Sequence, residues 1–284
     1  MPNLKDIKRR IKSVKSTQQI TKAMKMVAAA KLKRAQDDIT AARPYAEKML
    51  DIMNSLASRV RPDAHPLLSK RGGNKIEMLV VTSDRGLCGG FNSNIFRAAE
   101  GFIRKNGDAE ISVNIIGRKA KDYFKRRDMN IRQERTAGSG RPKYATAAEI
   151  AQEIVDSYIK ETFDETYLVY SEFISALSQK PVVQKLLPVE PAKVEEISGE
   201  YIYEPSQEAI LADLLPKYVE VQVFRALLES QASEHGARMA AMDSATKNAK
   251  EMISSLTLTY NRFRQAAITK ELMEIVSGAE ALKG

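Results

Sequence analysis

The sequence predicts an α/β protein in which two long terminal helices form an antiparallel coiled coil and enclose an inserted, small Rossmann-like α/β domain. Three observations carry this expectation. Apolar side chains recur at alternating spacings of three and four over residues 1–60 and again over 209–284, the a/d pattern of paired helices. Between 70 and 205 the pattern changes to short apolar runs alternating with short helical stretches, as in a largely parallel sheet with crossover helices.

The carboxy-terminal stretch from Ala209 is the most telling. After Leu211, Leu214, Leu215 and Pro216 it contains no proline, and as one helix it would run roughly 110 Å at ~1.5 Å per residue. Its stripe runs through Leu214, Tyr218, Val221, Leu228, Ala232, Met239, Met242, Ala249, Ile253, Leu256, Tyr260 and Phe263, then slips by one position and resumes at Ile268, Leu272, Ile275, Ala279 and Leu282. A seam of that length needs a partner.

The partner is predicted at the other end of the chain, where a seam of about eight heptads runs from Leu4 through Ile7, Ile11, Val14, Gln18, Thr21, Lys25, Ala28, Leu32, Ala35, Ile39, Ala42, Ala46, Met49, Met53 and Leu56 to Val60. Gln18, Thr21 and Lys25 are polar, so packing there should be weaker than where Leu or Ile contributes ~1.5–3 kcal/mol. Pro44 should bend the helix without ending it. The prolines of Arg61–Pro66 mark a loop.

Net charge is +9, and its excess sits in one arm: residues 1–34 hold eleven Lys and Arg against Asp6 alone. Such an arm implies an acidic counterpart, whether nucleic acid, anionic lipid or an acidic protein surface. It also mimics a transit peptide, but the heptads continue past any cleavage point, so none is expected. No run of about 18 apolar residues could span a membrane. The single Cys88 excludes an intrachain disulfide and suits a reducing compartment.

In the insert, Ile76–Val81, Ile111–Ile116, Tyr167–Tyr170 and Val182–Leu187 read as strands, with a last short one at Tyr201–Pro205. Helices are expected from near Asn92 or Ser93, over Lys119–Arg127, and from a Thr146 cap to about Lys160. Arg135–Tyr144 reads as a loop.

Little here could catalyse. The turn Ser83–Asn92, with Gly86, Gly89 and Gly90, lies between a strand and a helix, where backbone N–H groups can hold a phosphate. It matches neither G-x-x-x-x-G-K-[ST] nor G-x-G-x-x-G, so the glycines are read as supplying positive φ and close packing. Cys88 is read as a small buried thiol rather than one activated by the helix start. His65 falls in the proline loop and His235 on the seam, and neither belongs to a metal-spaced cluster. No catalytic residue, cofactor or metal is expected.

Length arithmetic then separates the end of the chain from the rest. If the helices pair antiparallel, about 57 residues of the first cover 55–60 of the second, and ~20 residues from about Arg264 project alone by ~30 Å. That overhang is apolar around most of its surface, and a lone apolar helix expects to be surrounded. A tip folded back on its own chain or paired with another copy would also meet the need.

Ile20–Ala29, Asp84–Gly90, Glu204–Pro205, Arg238–Met242 and Arg264–Ala279, in this order, resemble the gamma subunits of F-type ATP synthases, the central rotor shafts. The resemblance implies a noncatalytic subunit that couples proton-driven c-ring rotation to ATP synthesis. Alpha and beta subunits would surround the terminal helix, and the epsilon subunit and c-ring would lie at the globular domain. By motif position, Arg264, Gln265, Thr269 and Glu271 would meet loops of the catalytic ring. Lys8, Arg9, Lys12, Lys31 and Lys33 would oppose an acidic beta-subunit segment. It further implies a peripheral place on the cytoplasmic face of a bacterial cell membrane, without a span and without thiol control. The competing reading is a basic coiled-coil protein that binds nucleic acid, which predicts a steep salt dependence. An enzyme built on the insert is a third.

Overall fold

The computed structural model describes residues 4–57, 65–138, 140–190 and 206–281. In chain order these form α1 (Leu4–Ala57), β1 (Lys75–Val81), α2 (Phe91–Lys105), β2 (Glu110–Ile116), α3 (Arg118–Lys125), β3 (Asn130–Arg135), α4 (Tyr144–Ile159), β4 (Glu165–Phe173), β5 (Gln179–Leu187) and α5 (Gln207–Ala281). The strand expected at Tyr201–Pro205 and the loop at Arg61–Ala64 lie outside the described residues. The chain divides into two compact units, one of Ala28–Arg238 and one of the residues up to Val27 with those from Met239 onward.

The larger unit is built on a five-stranded sheet of order β3-β2-β1-β4-β5, parallel except for the antiparallel β5. Successive side chains of a strand point to opposite faces, so β1 serves two cores. Ile76, Met78 and Val80 pack with Phe91, Ile95, Ala99 of α2 and Ala120, Phe124 of α3. Leu79 and Val81 pack with Ala147, Ile150, Ala151, Ile154 and Tyr158 of α4, with Met49 and Met53 of α1, and with Leu211, Leu215, Val219, Val223 of α5. Chain order reverses at β1, since β2 and β3 are added on one side and β4 on the other, which makes this a doubly wound sheet.

β3 was not expected. Asn130–Arg135 has one large apolar side chain, Ile131, and is held to β2 across a register shift at Val113/Asn114. Two of its arginines are tied to carboxylates: Arg132 lies 2.7 Å from Glu77 Oε1, and Arg135 Nη2 lies 2.5 Å from Glu153 Oε1. Thr146 does not cap α4. The helix begins at Tyr144 behind an extended Lys143 that gives no side-chain cap bond, and Thr146 lies exposed in the first turn. Similarly, α2 begins at Phe91 behind Gly90.

The first half of α5 is more than a coiled-coil strand. Gln222, Val223, Ala226, Leu228, Glu229, Ser230, Ala232 and Ser233 are all buried, which covers most of its circumference. Gly236 shows why a small residue is needed there, since a Cβ would sit 3.2 Å from the Ala176 carbonyl of the β4–β5 turn.

In the smaller unit the seam is narrow. Ile7 and Thr21 are buried and Leu4, Ile11, Val14, Gln18 and Lys25 half-buried; in α5, Met242 and Ala249 are buried and Ile253, Leu256, Tyr260 and Phe263 half-buried. The polar seam positions find partners: Lys25 Nζ lies 2.6 Å from Asp243 Oδ1, and the Thr21 and Thr246 hydroxyls hydrogen-bond at 2.8 Å. In the larger unit Ala28, Leu32, Ala35, Ile39, Met49 and Met53 continue the seam as buried residues, through an unbroken turn at Pro44.

Candidate functional site

The pairing of Lys25 with Asp243 and Thr21 with Thr246 fixes where the first helix runs out. Moving back along α1 from Thr21 to Leu4 moves forward along α5 by about the same number of residues, to about Phe263. Beyond it α5 stays helical to Ala281 and does not fold back, and every residue from Ile268 to Ala281 is exposed. The five large apolar side chains Ile268, Leu272, Met273, Ile275 and Val276 are 48–68% exposed.

Helical geometry adds a point that seam counting missed. At ~100° per residue, Ile268, Leu272, Ile275 and Val276 centre on a direction about 140° from the side on which Leu256, Tyr260 and Phe263 face α1. A longer first helix would therefore not cover them. Arg264, Gln265, Thr269 and Glu271 are exposed and spread over an arc of about 160° that spans the same apolar stripe. The structure thus gathers these four around one apolar face.

The basic candidates are arranged differently. Lys8, Lys12 and Lys31 are exposed on α1, whereas Arg9 pairs with Asp6 at 3.2 Å and Lys33 with Asp37 at 3.0 Å. Lys8 and Lys12, one turn apart, share a face.

The glycine-rich turn lies outside the carboxyl end of β1, where doubly wound sheets take ligands, and several of its polar groups are paired within the chain. Ser83 N–H donates to Asn92 Oδ1 at 3.1 Å, and Asn92 Nδ2 donates to Ser83 Oγ at 2.8 Å and to Cys88 Sγ at 3.2 Å. Arg238 from α5 reaches over the turn and donates to the carbonyls of Arg85 and Gly86, both at 3.3 Å, while holding Glu234 at 2.6 Å. Sequence reasoning gave Arg238 no role, since nothing local to α5 shows what it will cross. Of the three glycines only Gly89 takes positive φ, at 56°, and exposed Leu87 takes φ 62°. Cys88 is buried at 2% exposure. Its alkylation by iodoacetamide in the native chain is therefore expected to be slower than in urea by about tenfold or more, measured by mass spectrometry.

His65 takes the Leu67 N–H on Nδ1 at 3.2 Å, a turn role. His235 is buried, and burial first, then the charges of Arg238 and Lys31, push its pKa down to about 4. Among the described residues no group of three His, Cys, Asp or Glu could hold a metal, and no helix is long and apolar enough to cross a membrane.

Known proteins share this sequence and this fold. The ATP synthase family model matches residues 3–282. The ATP synthase gamma chain of Geobacter metallireducens is 57% identical over the whole of both chains, and that of Pelotomaculum thermopropionicum is 52% identical, also end to end. A chain of the central stalk/c-ring structure of Tetrahymena thermophila mitochondrial ATP synthase is 27% identical with a TM-score of 0.62, covering 80% of this chain and 99% of that one. At 20% identity a Euglena gracilis mitochondrial ATP synthase chain, with a TM-score of 0.75 over 98% of this chain and 94% of its own, shares the fold. The chain belongs to the ATP synthase gamma-chain family.

Proposed function

We propose that this chain is the rotor shaft of an F-type ATP synthase and that its working end is the uncovered end of α5. The observation that carries the reading is the apolar face of Ile268, Leu272, Ile275 and Val276, turned away from α1 and bracketed by Arg264, Gln265, Thr269 and Glu271. A sleeve of alpha and beta subunits would bury that face, and the four polar side chains would meet its loops. Because the polar and apolar groups are not evenly distributed around the helix, each rotational position would offer each beta subunit a different surface. A shaft can bias the states of its neighbours only through such differential contact.

The shaft is a noncatalytic subunit, and the chemistry would belong to the surrounding head. The basic side chains Lys8, Arg9, Lys12, Lys31 and Lys33 would face an acidic segment of the beta subunits. The epsilon subunit and the c-ring would meet the domain of residues 70–205, leaving 1–60 and 209–284 as the shaft proper. The relatives include bacterial chains, which supports a peripheral position on the cytoplasmic face of the cell membrane. No relative favours the nucleic-acid reading.

Truncation after Arg264 tests the proposal in reassembled complexes. The sheet unit is expected to stay folded by circular dichroism, while ATP synthesis driven by a proton gradient falls at least about tenfold, the scale of ~1.4 kcal/mol of lost differential contact. Unchanged coupled synthesis would remove the overhang from the mechanism.

A further inference from the structure

Among the described residues three buried side-chain oxygens have no hydrogen-bond partner: Glu77 Oε2, Asn114 Oδ1 and Thr166 Oγ1. They are not scattered. Glu77 and Thr166 are register partners on β1 and β4, and Asn114 stands two residues beyond Ser112, the partner of Glu77 on β2. Side chains alternate between the faces of a sheet, so Leu79, Ile116 and Leu168, each two residues from one of the three, place them all on the face that α4 covers. A buried polar atom without a partner is costly, and three in one patch of neighbouring strands point to a shared partner.

The chemistry of the patch selects that partner. A cation would sit beside the Arg132 guanidinium, whose Nη1 lies 2.7 Å from Glu77 Oε1. An anion would face the Glu77 carboxylate and the Asn114 carbonyl, both acceptors. What fits is a small neutral group that donates to Glu77 and Asn114 and accepts from the Thr166 hydroxyl, and water does both. Spacing sets the number. Strands lie ~4.8 Å apart, so Asn114 and Thr166, two strands and two residues from each other, are ~12 Å apart at Cα. One water, at ~2.8 Å from each neighbour, bridges too little of this; two in line span ~8.4 Å, and the two side chains supply the remainder.

We propose that the α4 face of the sheet binds a pair of internal waters, one between Thr166 and Glu77 and the other between Glu77 and Asn114. The first accepts from the Thr166 hydroxyl and donates to Glu77 Oε2 and to the second. The second donates to Asn114 Oδ1 and to Glu77 Oε2. Each makes three hydrogen bonds, the usual number for a buried water. The centre of the sheet unit is thereby wet, and β2, β1 and β4 are joined on this face by solvent as well as by their ladders.

Thr166→Val in the full chain tests this at pH 8, where Glu77 is mostly ionised, because valine keeps the shape and removes the hydroxyl. Loss of a hydroxyl that is bound to water should lower the urea midpoint, whereas a buried hydroxyl with no partner is better replaced by a methyl and its loss should raise the midpoint. Magnetic relaxation dispersion of the water oxygen, which counts long-lived internal waters, should register at least one fewer in Thr166→Val and the parental number in Thr166→Ser. In a high-resolution crystal structure of the parent chain both waters should appear between these three side chains. A midpoint that rises or stays, a water count that does not drop, or a crystal structure with neither water would overturn the inference.

Discussion

Glu77→Gln is expected to change how the stability of the sheet unit varies with pH, by about 3 kcal/mol between pH 4 and pH 8 relative to the parent chain. Glu77 sits on the central strand with its side chain 3% exposed, and burial pushes its pKa up to about 7, with Arg132 at 2.7 Å pulling the other way. Its second oxygen has no hydrogen-bond partner. A carboxyl whose folded pKa is raised stabilises the fold fully below its ordinary value, near 4.5, and that contribution disappears as pH rises through 7. His235 works in the opposite direction. Its folded pKa is lowered to about 4, so its contribution is present above 6.5 and is lost as pH falls. Between about 4.5 and 6.5 the two oppose each other and the parent profile is flattened. With glutamine at 77 the histidine contribution is unmasked and stability climbs with pH, to be read as urea midpoints at four pH values. Parallel profiles for the two chains would mean that Glu77 titrates as an ordinary surface carboxylate.

Gly117→Ala should cost about 3–5 kcal/mol, combining a backbone conformation that only glycine adopts easily with a steric clash. Gly117 has φ 104° and ψ 137° at the junction of β2 and α3. An added Cβ would lie 2.4 Å from the Thr82 carbonyl oxygen and 2.6 Å from its hydroxyl. Thr82 cannot easily yield, because its N–H donates to Ile116 O at 2.8 Å and its hydroxyl accepts the Ala120 N–H at 3.1 Å. The matched control is Gly101→Ala in α2, where a Cβ meets nothing within 4 Å and gains ~0.5–1 kcal/mol of helix stability. Similar denaturation midpoints for the two variants would sink the steric argument.

These two positions also mark where sequence reading stops. The helical pair, the doubly wound insert and the uncovered end were legible because each depends on periodicity or length, which a sequence carries locally. Every seam position from Leu4 to Met53 is buried or half-buried. β3 escaped because an edge strand of Arg132, Gln133, Glu134 and Arg135 shows no apolar run; its stability comes from carboxylates on β1 and α4 that only the fold brings near. Glu77 was hidden inside an otherwise apolar strand for the same reason. The wide burial of α5 from Leu211 to Ala237 could not be separated from a seam, since the residues that cover it lie far away in sequence. At the helix end the candidate side chains were named by motif, but their grouping about one apolar face needed the direction in which α1 lies.

The polar layer of Thr21, Lys25, Asp243 and Thr246 has a mechanical consequence. An apolar seam resists separation, yet it offers little to oppose sliding along its own axis, because one heptad looks much like the next. Here a seven-residue slide would carry Lys25 onto Lys250 and set the Thr21 hydroxyl against Ile253, exchanging two matched contacts for a charge repulsion and an unpaired hydroxyl. The layer therefore acts as a detent against axial shear, holding the two helices at one relative height while the pair is twisted.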